Sequence, residues 1–412
     1  MDAKQNIKYR IKNLFTNGKR IYHKTPVCFR WIFLPAKLIS NFMYFLIDIL
    51  KLDIWIISGE EISSKQELTI NYAGREKNKN YLVHLAFGDF CKENYIGKKW
   101  LWYFLNMCKE NNNGSSLMVA EIPRFLHLLF ERKSSFLIPS WIGGEIDIPF
   151  DFSILAKSRS RQSDLSRIKK NKLDFEVTRS LDKFDNFYHN MYLPNIIRAH
   201  GERAIIMEYD FMKKKFKNCD LLLINKGTEY IAGTLIAYAK NKVRLWSAGI
   251  KDGNKDYMQD GAIGATHFFA IKYLKEKGFK KIGFGETRAF LKDGVLKHKK
   301  TWNRKVNSSS GPNILVKPLS KTPGVMGFFL NNPFIYMNNG RFNGAVFMSA
   351  DQSFSKDDWQ KLSEDYLLPG MSRLIIYRFG ENVIRKQENI PLEFKNRVAV
   401  RSAESLFGRV NG

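Results

Sequence analysis

Two stretches decide the fold: DLLLINKGTEYIAGTLIAYAKNKVRLWSAGI, Asp220–Ile250, and DGAIGATHFFAIKYLKEKGFKKIGFGE, Asp260–Glu286. In the first, the turns Lys226-Gly227-Thr228 and Lys240-Asn241 separate three β-rich runs, the spacing of three consecutive antiparallel strands. In the second, Ala262, Ala265, Phe269, Ile271 and Leu274 supply the apolar content of one long helix that Gly278 stops. KKIGFGE then returns as a strand. Upstream, RQSDLSRIKKNKL reads as a basic helix, DFEVTR as a strand and LDKFDNFYHNMYLPNIIRAHG as a helix capped at Gly201. Helix, strand, helix, three meandering strands, helix and strand describe a mixed sheet with helices on its faces.

Outside this block the signals alternate more weakly. Between Leu68 and Pro149, YLVHLAF reads as a strand, WLWYFLNMC as a helix, SLMVAEI as a strand, RFLHLLF as a helix and SFLIPSW as a strand. Beyond Ser308-Ser309-Ser310-Gly311-Pro312, AVFMSA and RLIIYRFG read as strands and KDDWQKLSEDYLL as a helix, with Gly340 and Gly344 bracketing a turn. A chain of 412 residues is long enough for two or three cores. The pattern divides it into 1–60, a basic and aromatic segment; 61–150, an α/β domain; 151–310, a second one; and 311–412, which completes the sheet or has a role of its own. The fold class is α/β, of the α+β kind, with mixed, mostly antiparallel sheets flanked by helices.

Lys plus Arg number 67 against 40 Asp plus Glu, a formal charge of +27, which favours anionic partners such as RNA, acidic lipid or a phosphate-bearing donor, or serves solubility alone. Cys28, Cys91, Cys108 and Cys219 form no Cys-x-x-Cys pair, so neither a disulfide framework nor a zinc site is indicated and a reducing cytoplasm fits. The N-terminus has no signal-peptide pattern. Phe29–Ile57 is the most apolar stretch, but Arg30, Pro35, Lys37, Asp48, Lys51 and Asp53 interrupt it, so it reads poorly as a spanning helix. With the basic residues before it, it suits peripheral contact with an anionic membrane, or burial as an amphipathic helix against the next domain.

No His-Glu-x-x-His, Gly-x-Ser-x-Gly or Walker-type loop is present, which removes the common hydrolase and nucleotidase classes. The ordered set FYHNMYLPNIIRAHG, EYIAGTLIAY, VRLWSAGI and DGAIGATHFFAIKYLKEKGFKKIGFGETRAFLKDGVLKHKKTW resembles the GNAT-like domain of the Fem (FemAB) family over Ser158–Val306. Its most specific part is Gly283-Phe284-Gly285-Glu286-Thr287-Arg288, followed by Asp293-Gly294-Val295 and Lys299 to Trp302. The resemblance implies tandem GNAT-like domains, with the stretch before Pro149 as a degenerate companion. It also implies an acyltransferase that moves an acyl or aminoacyl group onto an amine of a cell-envelope, glycan or lipid precursor. The donor would be acyl-CoA or aminoacyl-tRNA, with no metal and no stable protein partner implied, at a cytoplasmic location or at the inner membrane face.

Such a reaction needs a held thioester or ester, a base for the attacking amine and donors for the oxyanion. The start of the helix after Asp260, with Gly261, Ala262 and Gly264, is the candidate for donor phosphates, although the ordinary GNAT glycine pattern is absent: Met258 and Ile263 stand at its first and last positions. Close packing of the helix on the sheet is the other reading of those glycines. Glu286 is a candidate base or one half of a structural ion pair, and His200 a second candidate base or a helix-end cation beside Arg198. Trp246 and Tyr257 suit an acceptor pocket, or the core. Arg198, Arg288, Asp293, Lys299, Lys300 and Trp302 complete the substrate-binding set, and the resemblance places a lysine before the tryptophan, Lys299 or Lys300, at the cleft. The alternative is a non-catalytic basic module that holds RNA or anionic lipid.

Overall fold

A computed structural model describes residues 50–88, 90–111, 113–123, 126, 134–148, 159–201, 206–240, 242–349, 352, 354–380 and 390–407. The first lobe starts with the antiparallel pair β1 (Lys51–Glu60) and β2 (Glu67–Gly74). It continues through α1 (Glu76–Phe87), β3 (Lys92–Trp100), α2 (Leu101–Glu110), β4 (Leu117–Ile122) and β5 (Phe136–Asp147). The second lobe runs α3 (Arg159–Lys170), β6 (Leu173–Thr178), α4 (Leu181–Phe187), a π turn (Tyr188–Tyr192), α5 (Leu193–His200), α6 (Tyr209–Phe216), β7 (Cys219–Lys226), β8 (Glu229–Ala239) and β9 (Lys242–Ile250). It closes with α7 (Lys255–Gln259), α8 (Ala262–Glu276), β10 (Lys281–Thr287), α9 (Gly294–Thr301) and β11 (Lys305–Pro318). Then come α10 (Pro323–Asn331), β12 (Phe334–Asn338), β13 (Arg341–Ser349), α11 (Lys356–Tyr366), β14 (Arg373–Phe379), α12 (Leu392–Lys395) and β15 (Val398–Ser402).

Among the described residues, eleven strands form one sheet in the order β3-β1-β2-β4-β11-β5-β10-β9-β8-β7-β6. All its neighbours are antiparallel except two pairs, β2 with β4 and β9 with β10. In the second lobe β9 returns to parallel β10 through α7 and α8, in the first β2 returns to parallel β4 by way of α1, edge strand β3 and α2, and β5 and β11 splice the two lobes edge to edge. This is the mixed, mostly antiparallel α/β architecture that the sequence pattern leads one to expect. A second sheet, β12-β13-β14-β15, packs onto the first lobe. The Phe136 ring of β5 anchors it, meeting Phe334 and Tyr336 edge-on at centroid distances of 5.0 and 5.1 Å and Tyr377 at 5.4 Å.

Several local expectations change. YLVHLAF is the second half of helix α1 and not a strand. Its buried residues Asn78, Lys79, Leu82, Val83, Ala86 and Phe87 follow helical spacing once the polar first turn is counted. The stretch Leu181–Gly201 is helical throughout but contains the π turn, because Pro194 has no N–H for the carbonyl four residues back. The polar run before Asp260 holds the short helix α7, and Gly261, at φ 95°, separates it from α8. Strand β11 continues through Ser308–Pro312, with its register against β5 shifting between Val306 and Ser308 and again between Ser310 and Asn313. Gly340 lies in the β12–β13 turn, whereas Gly344 sits inside β13. Apart from Leu126, the RFLHLLF run lies outside the described residues, as do residues 29–49 of the apolar N-terminal stretch; among the described residues no helix is long and apolar enough to cross a membrane.

The second lobe is tied together by Asp220 on β7. Its buried carboxylate accepts from the hydroxyls of Tyr238 and Tyr273, both at 2.7 Å, from Arg179 Nε at 2.6 Å and from Lys277 Nζ at 3.2 Å. Burial alone would raise its pKa, but these four donors hold it at about 2, below the ordinary 3.8. A folded-state pKa below the unfolded one stabilises above the unfolded value. The contribution, about 2 kcal/mol, is therefore complete above about pH 4 and lost as pH falls through about 2. Asp220→Asn should lower stability by roughly 2–4 kcal/mol, read as a lower urea midpoint, and should flatten the acid limb of stability against pH. An unchanged midpoint would remove Asp220 from this role.

Candidate active site

The parallel strands β9 and β10 share a single register position, Gly283 opposite Arg244, and no later residues pair. Both strands are irregular beyond that point. On β9 the register against β8 shifts between Leu235 and Ile236, leaving Trp246 as the extra residue, and on β10 the register against β5 shifts between Gly283 and Glu286. Such bulges bend a strand and re-aim its side chains. The result is a cleft in the hydrogen-bond ladder between the two strands, with backbone groups released from pairing.

Arg304 holds β10 and β5 in this irregular pairing. It is fully buried, and its Nη2 donates to the carbonyls of Ile142 at 2.6 Å and Gly285 at 3.0 Å while Nη1 donates to Thr287 Oγ1 at 3.1 Å. The facing residue on β5 has to be glycine, because a Cβ on Gly144 would lie 2.5 Å from Arg304 Nε. Burial lowers the guanidinium pKa to about 10, so it remains charged at neutral pH.

Into the cleft helix α9 delivers Lys299. Its Nζ donates to the Glu286 carbonyl at 3.1 Å and lies 2.9 Å from where a Cβ on Gly285 would stand; the Leu245 carbonyl of β9 is 3.3 Å from the same point. Burial lowers the Lys299 pKa to about 7, with the charge of Arg304 acting in the same direction and Asp293 and Glu286 opposing it. The Lys299 side chain is half-buried and its hydrogen bond to Glu286 lies at the surface, so the amine is crowded by protein yet reachable from solvent. A lysine with that pKa is about half neutral at pH 7 and is able both to accept and to return a proton.

Helix α9 is fixed at both ends. The Asp293 carboxylate accepts from Leu296 N at 2.9 Å as its N-cap, and Asn303 turns the chain at φ 58°, the left-handed conformation that asparagine tolerates. Behind the helix, His298 Nε2 and His267 Nδ1 are 3.3 Å apart in a cage of Phe284 and Trp302. Burial lowers both imidazole pKa values, and the positive charge of Lys299 acts the same way.

The other expected site residues divide by location. Glu286 is exposed at the cleft and Trp246 half-buried on the β9 bulge, its ring edge-on to Phe211 at 6.2 Å. Lys300 points away and donates to the Glu364 carbonyl on α11. Trp302, 2% exposed, belongs to the core and supports α9 rather than touching a substrate. Arg288 is buried toward the first lobe, donating to Asn78 Oδ1 at 2.7 Å with its guanidinium over Tyr81 and Trp141 at 4.5 and 4.2 Å. Tyr257 donates to Glu229 at 3.0 Å. Exposed Arg198 covers Gly253, and His200 is the last residue of α5, with its side chain outside the description. The start of α8 faces helix α3: a Cβ on Gly264 would come within 2.7 Å of Asp164 Cγ, one on Gly261 within 2.9 Å of Arg167 Cβ, and Ala262 is fully buried. Close helix packing is thus what these residues allow. Sequence reasoning missed the structural part played by Arg304, for which the glycine pairs Gly143-Gly144 and Gly283…Gly285 were the available signal. Among the described residues no group of three or more His, Cys, Asp or Glu is placed to hold a metal.

No family model and no curated protein matches the chain. Solved structures do. The C-terminal domain of a putative lysylphosphatidylglycerol synthetase from Agrobacterium fabrum aligns over 68% of this chain and 87% of its own, at 14% identity and a TM-score of 0.30. L-PGS from Bacillus licheniformis aligns over 68% and 85%, at 10% identity and TM-score 0.31. FemX aligns over 63% and 83%, at 11% and 0.31. Likenesses this distant leave the reading of the site to the chain's own residues.

Gly285 takes φ 67° and leaves room for the Lys299 amine. Gly285→Ala should cost about 1–2 kcal/mol and, by displacing that amine, lower activity by roughly tenfold or more. Calorimetry and turnover would check the two effects separately; an alanine variant with wild-type turnover would show that the amine does not need this space.

Proposed function

We propose that the protein is an acyltransferase that moves an acyl or aminoacyl group onto an amine in the cleft between β9 and β10, with Lys299 as the proton acceptor. The observation that carries this reading is the Lys299 amine, its pKa lowered to about 7, placed where two parallel strands separate. The resemblance of Ser158–Val306 to the Fem-type GNAT-like domain adds support from the sequence side.

The chemistry balances with these groups. The acceptor amine attacks the donor's carbonyl carbon, forming the C–N bond. Neutral Lys299 takes the proton that the attacking nitrogen sheds, directly or through water. The tetrahedral intermediate collapses by breaking the C–S bond of a thioester or the C–O bond of an ester, and the leaving group recovers the proton from the Lys299 ammonium. While it carries that proton Lys299 is also a cation beside the developing oxyanion. Exposed Glu286 at the rim suits attraction of an ammonium acceptor.

Of the two donor classes, aminoacyl-tRNA is preferred. The helix start that would receive a pyrophosphate is covered by α3, with acidic Asp164 packed on Gly264, whereas a charge of +27 suits a long polyanion. The acceptor we assign is the amine of a cell-envelope, glycan or lipid precursor.

The test is transfer or hydrolysis with a panel of acyl-CoAs and charged tRNAs. Turnover of aminoacyl-tRNA should rise with pH to half of its plateau near pH 7, since the neutral amine is the active form. Lys299→Met should lower kcat by about 10²–10³-fold while raising the melting temperature, because a desolvated amine is removed. Lys299→Arg should not restore activity. Restoration by arginine would make Lys299 a charge and not a base, and the absence of turnover with every donor, alongside retained salt-sensitive RNA binding, would leave a binding module.

A further inference from the structure

The outer edge of the first lobe has a composition unlike the rest of the surface. Strand β3, the edge of the large sheet among the described residues, reads KENYIGKKW with most side chains exposed, and α2 follows it without a break. At the corner, Trp102 and Tyr103 are 52% and 45% exposed, and Trp100 stacks on Trp102 at 4.6 Å with an angle of 11°. Lys51 and Lys99 lie against these rings, and Lys98 and Lys109 belong to the same strand and helix. The acids of the same edge are engaged within the fold: Tyr95 donates to Asp53 at 2.7 Å, and Glu93 pairs with buried Lys79.

We propose that this β3–α2 corner docks on an anionic lipid bilayer. Tryptophan and tyrosine beside lysines match a membrane–water interface, where the rings sit at headgroup depth and each lysine near an anionic surface contributes attraction. The chain itself points the same way. Lys51 pairs with Trp100 in the β1–β3 ladder, so the basic, aromatic sequence that precedes residue 50 enters the fold at this corner. A cavity of about 360 Å³ opens beside it, lined by Lys51, Arg75, Lys98, Asp53 and Glu121 among others, which gives a headgroup a place next to the aromatic anchors.

Aromatic and basic residues together also suit single-stranded nucleic acid, but that mode needs open ring faces for bases to stack on. Here one face of each ring is already used. Trp100 and Trp102 cover each other, the Lys51 amine lies over the Trp100 ring at 4.8 Å and the Lys99 amine over Tyr103 at 5.8 Å. Insertion into a headgroup layer needs only exposed ring edges with cations at the rim, the arrangement present.

The test is flotation of the full chain with vesicles of phosphatidylcholine containing phosphatidylglycerol, against vesicles of phosphatidylcholine alone, and it is independent of any transferase activity. The wild-type protein should float with the anionic vesicles, lose that binding as salt is raised, and ignore the neutral ones. Trp102→Ala with Tyr103→Ala, and separately Lys98→Glu with Lys99→Glu, should each weaken anionic-vesicle binding by about tenfold or more with the melting temperature unchanged. The proposal is overturned if the wild-type protein ignores anionic vesicles. It is equally overturned if both double variants bind as wild type does, since another part of the chain then carries the binding. Single-stranded RNA bound at this corner and lost in the variants, with no vesicle binding, would assign the surface to nucleic acid instead.

Discussion

The parting of β9 from β10 is the constraint on which the rest of the site depends. A parallel pair that stayed in register would bury its backbone groups in a ladder and leave nothing for a substrate. Here the pair meets at Gly283 and Arg244 alone. The fully buried guanidinium of Arg304 takes up the carbonyls of Ile142 and Gly285 that the irregular β5–β10 pairing leaves behind. A buried charge is costly unless hydrogen-bonded, and the donors of Arg304 that reach those carbonyls and Thr287 offset that cost. Gly144 of β5 and Gly285 of β10 exist in this setting because a side chain would collide with Arg304 at the first and with the Lys299 amine at the second.

That same buried cation shapes the chemistry. Lys299 lies within its field and is crowded by protein atoms on the side of β10, and both effects work against the ammonium form. The neutral His267–His298 pair behind α9 adds no charge that would restore it. On the proposed reading, stability and function pull in opposite directions at this position, since the group is held in its less favourable protonation state. The tying of the second lobe through Asp220 and the anchoring of the small sheet on Phe136 hold the scaffold around a site that is itself under electrostatic strain.

The second lobe was largely legible in the sequence because its signals are local: tight turns between β7, β8 and β9, a long apolar helix closed by Gly278, and a glycine-rich strand after it. The first lobe was less so. In α1 the polar first turn hid the helical period, and the apolar half alone, YLVHLAF, imitates a strand. The π turn before Pro194 depends on how that helix packs against β9, where a Cβ on Gly249 would press on the backbone of Met191 and Tyr192. Within the site, the resemblance to the Fem-type domain could narrow the cleft lysine to two neighbours but not choose between them. Helical geometry sends Lys299 to the cleft and Lys300 to α11. Trp302 and Arg288 stand in the right stretch of sequence yet face other cores, since which side of an element meets the cleft is set by the sheet's bulges and not by the motif.

The claim most exposed to test is that Lys299 carries a near-neutral pKa in the folded protein. An NMR titration of isotope-labelled lysine side chains, with the Lys299 signal identified by its loss in Lys299→Met, measures this without any substrate. The account predicts one lysine with a midpoint near 7, absent from the variant. If every lysine titrates near the ordinary value of 10.5, Lys299 is a plain surface cation and the proposed proton transfer has no acceptor.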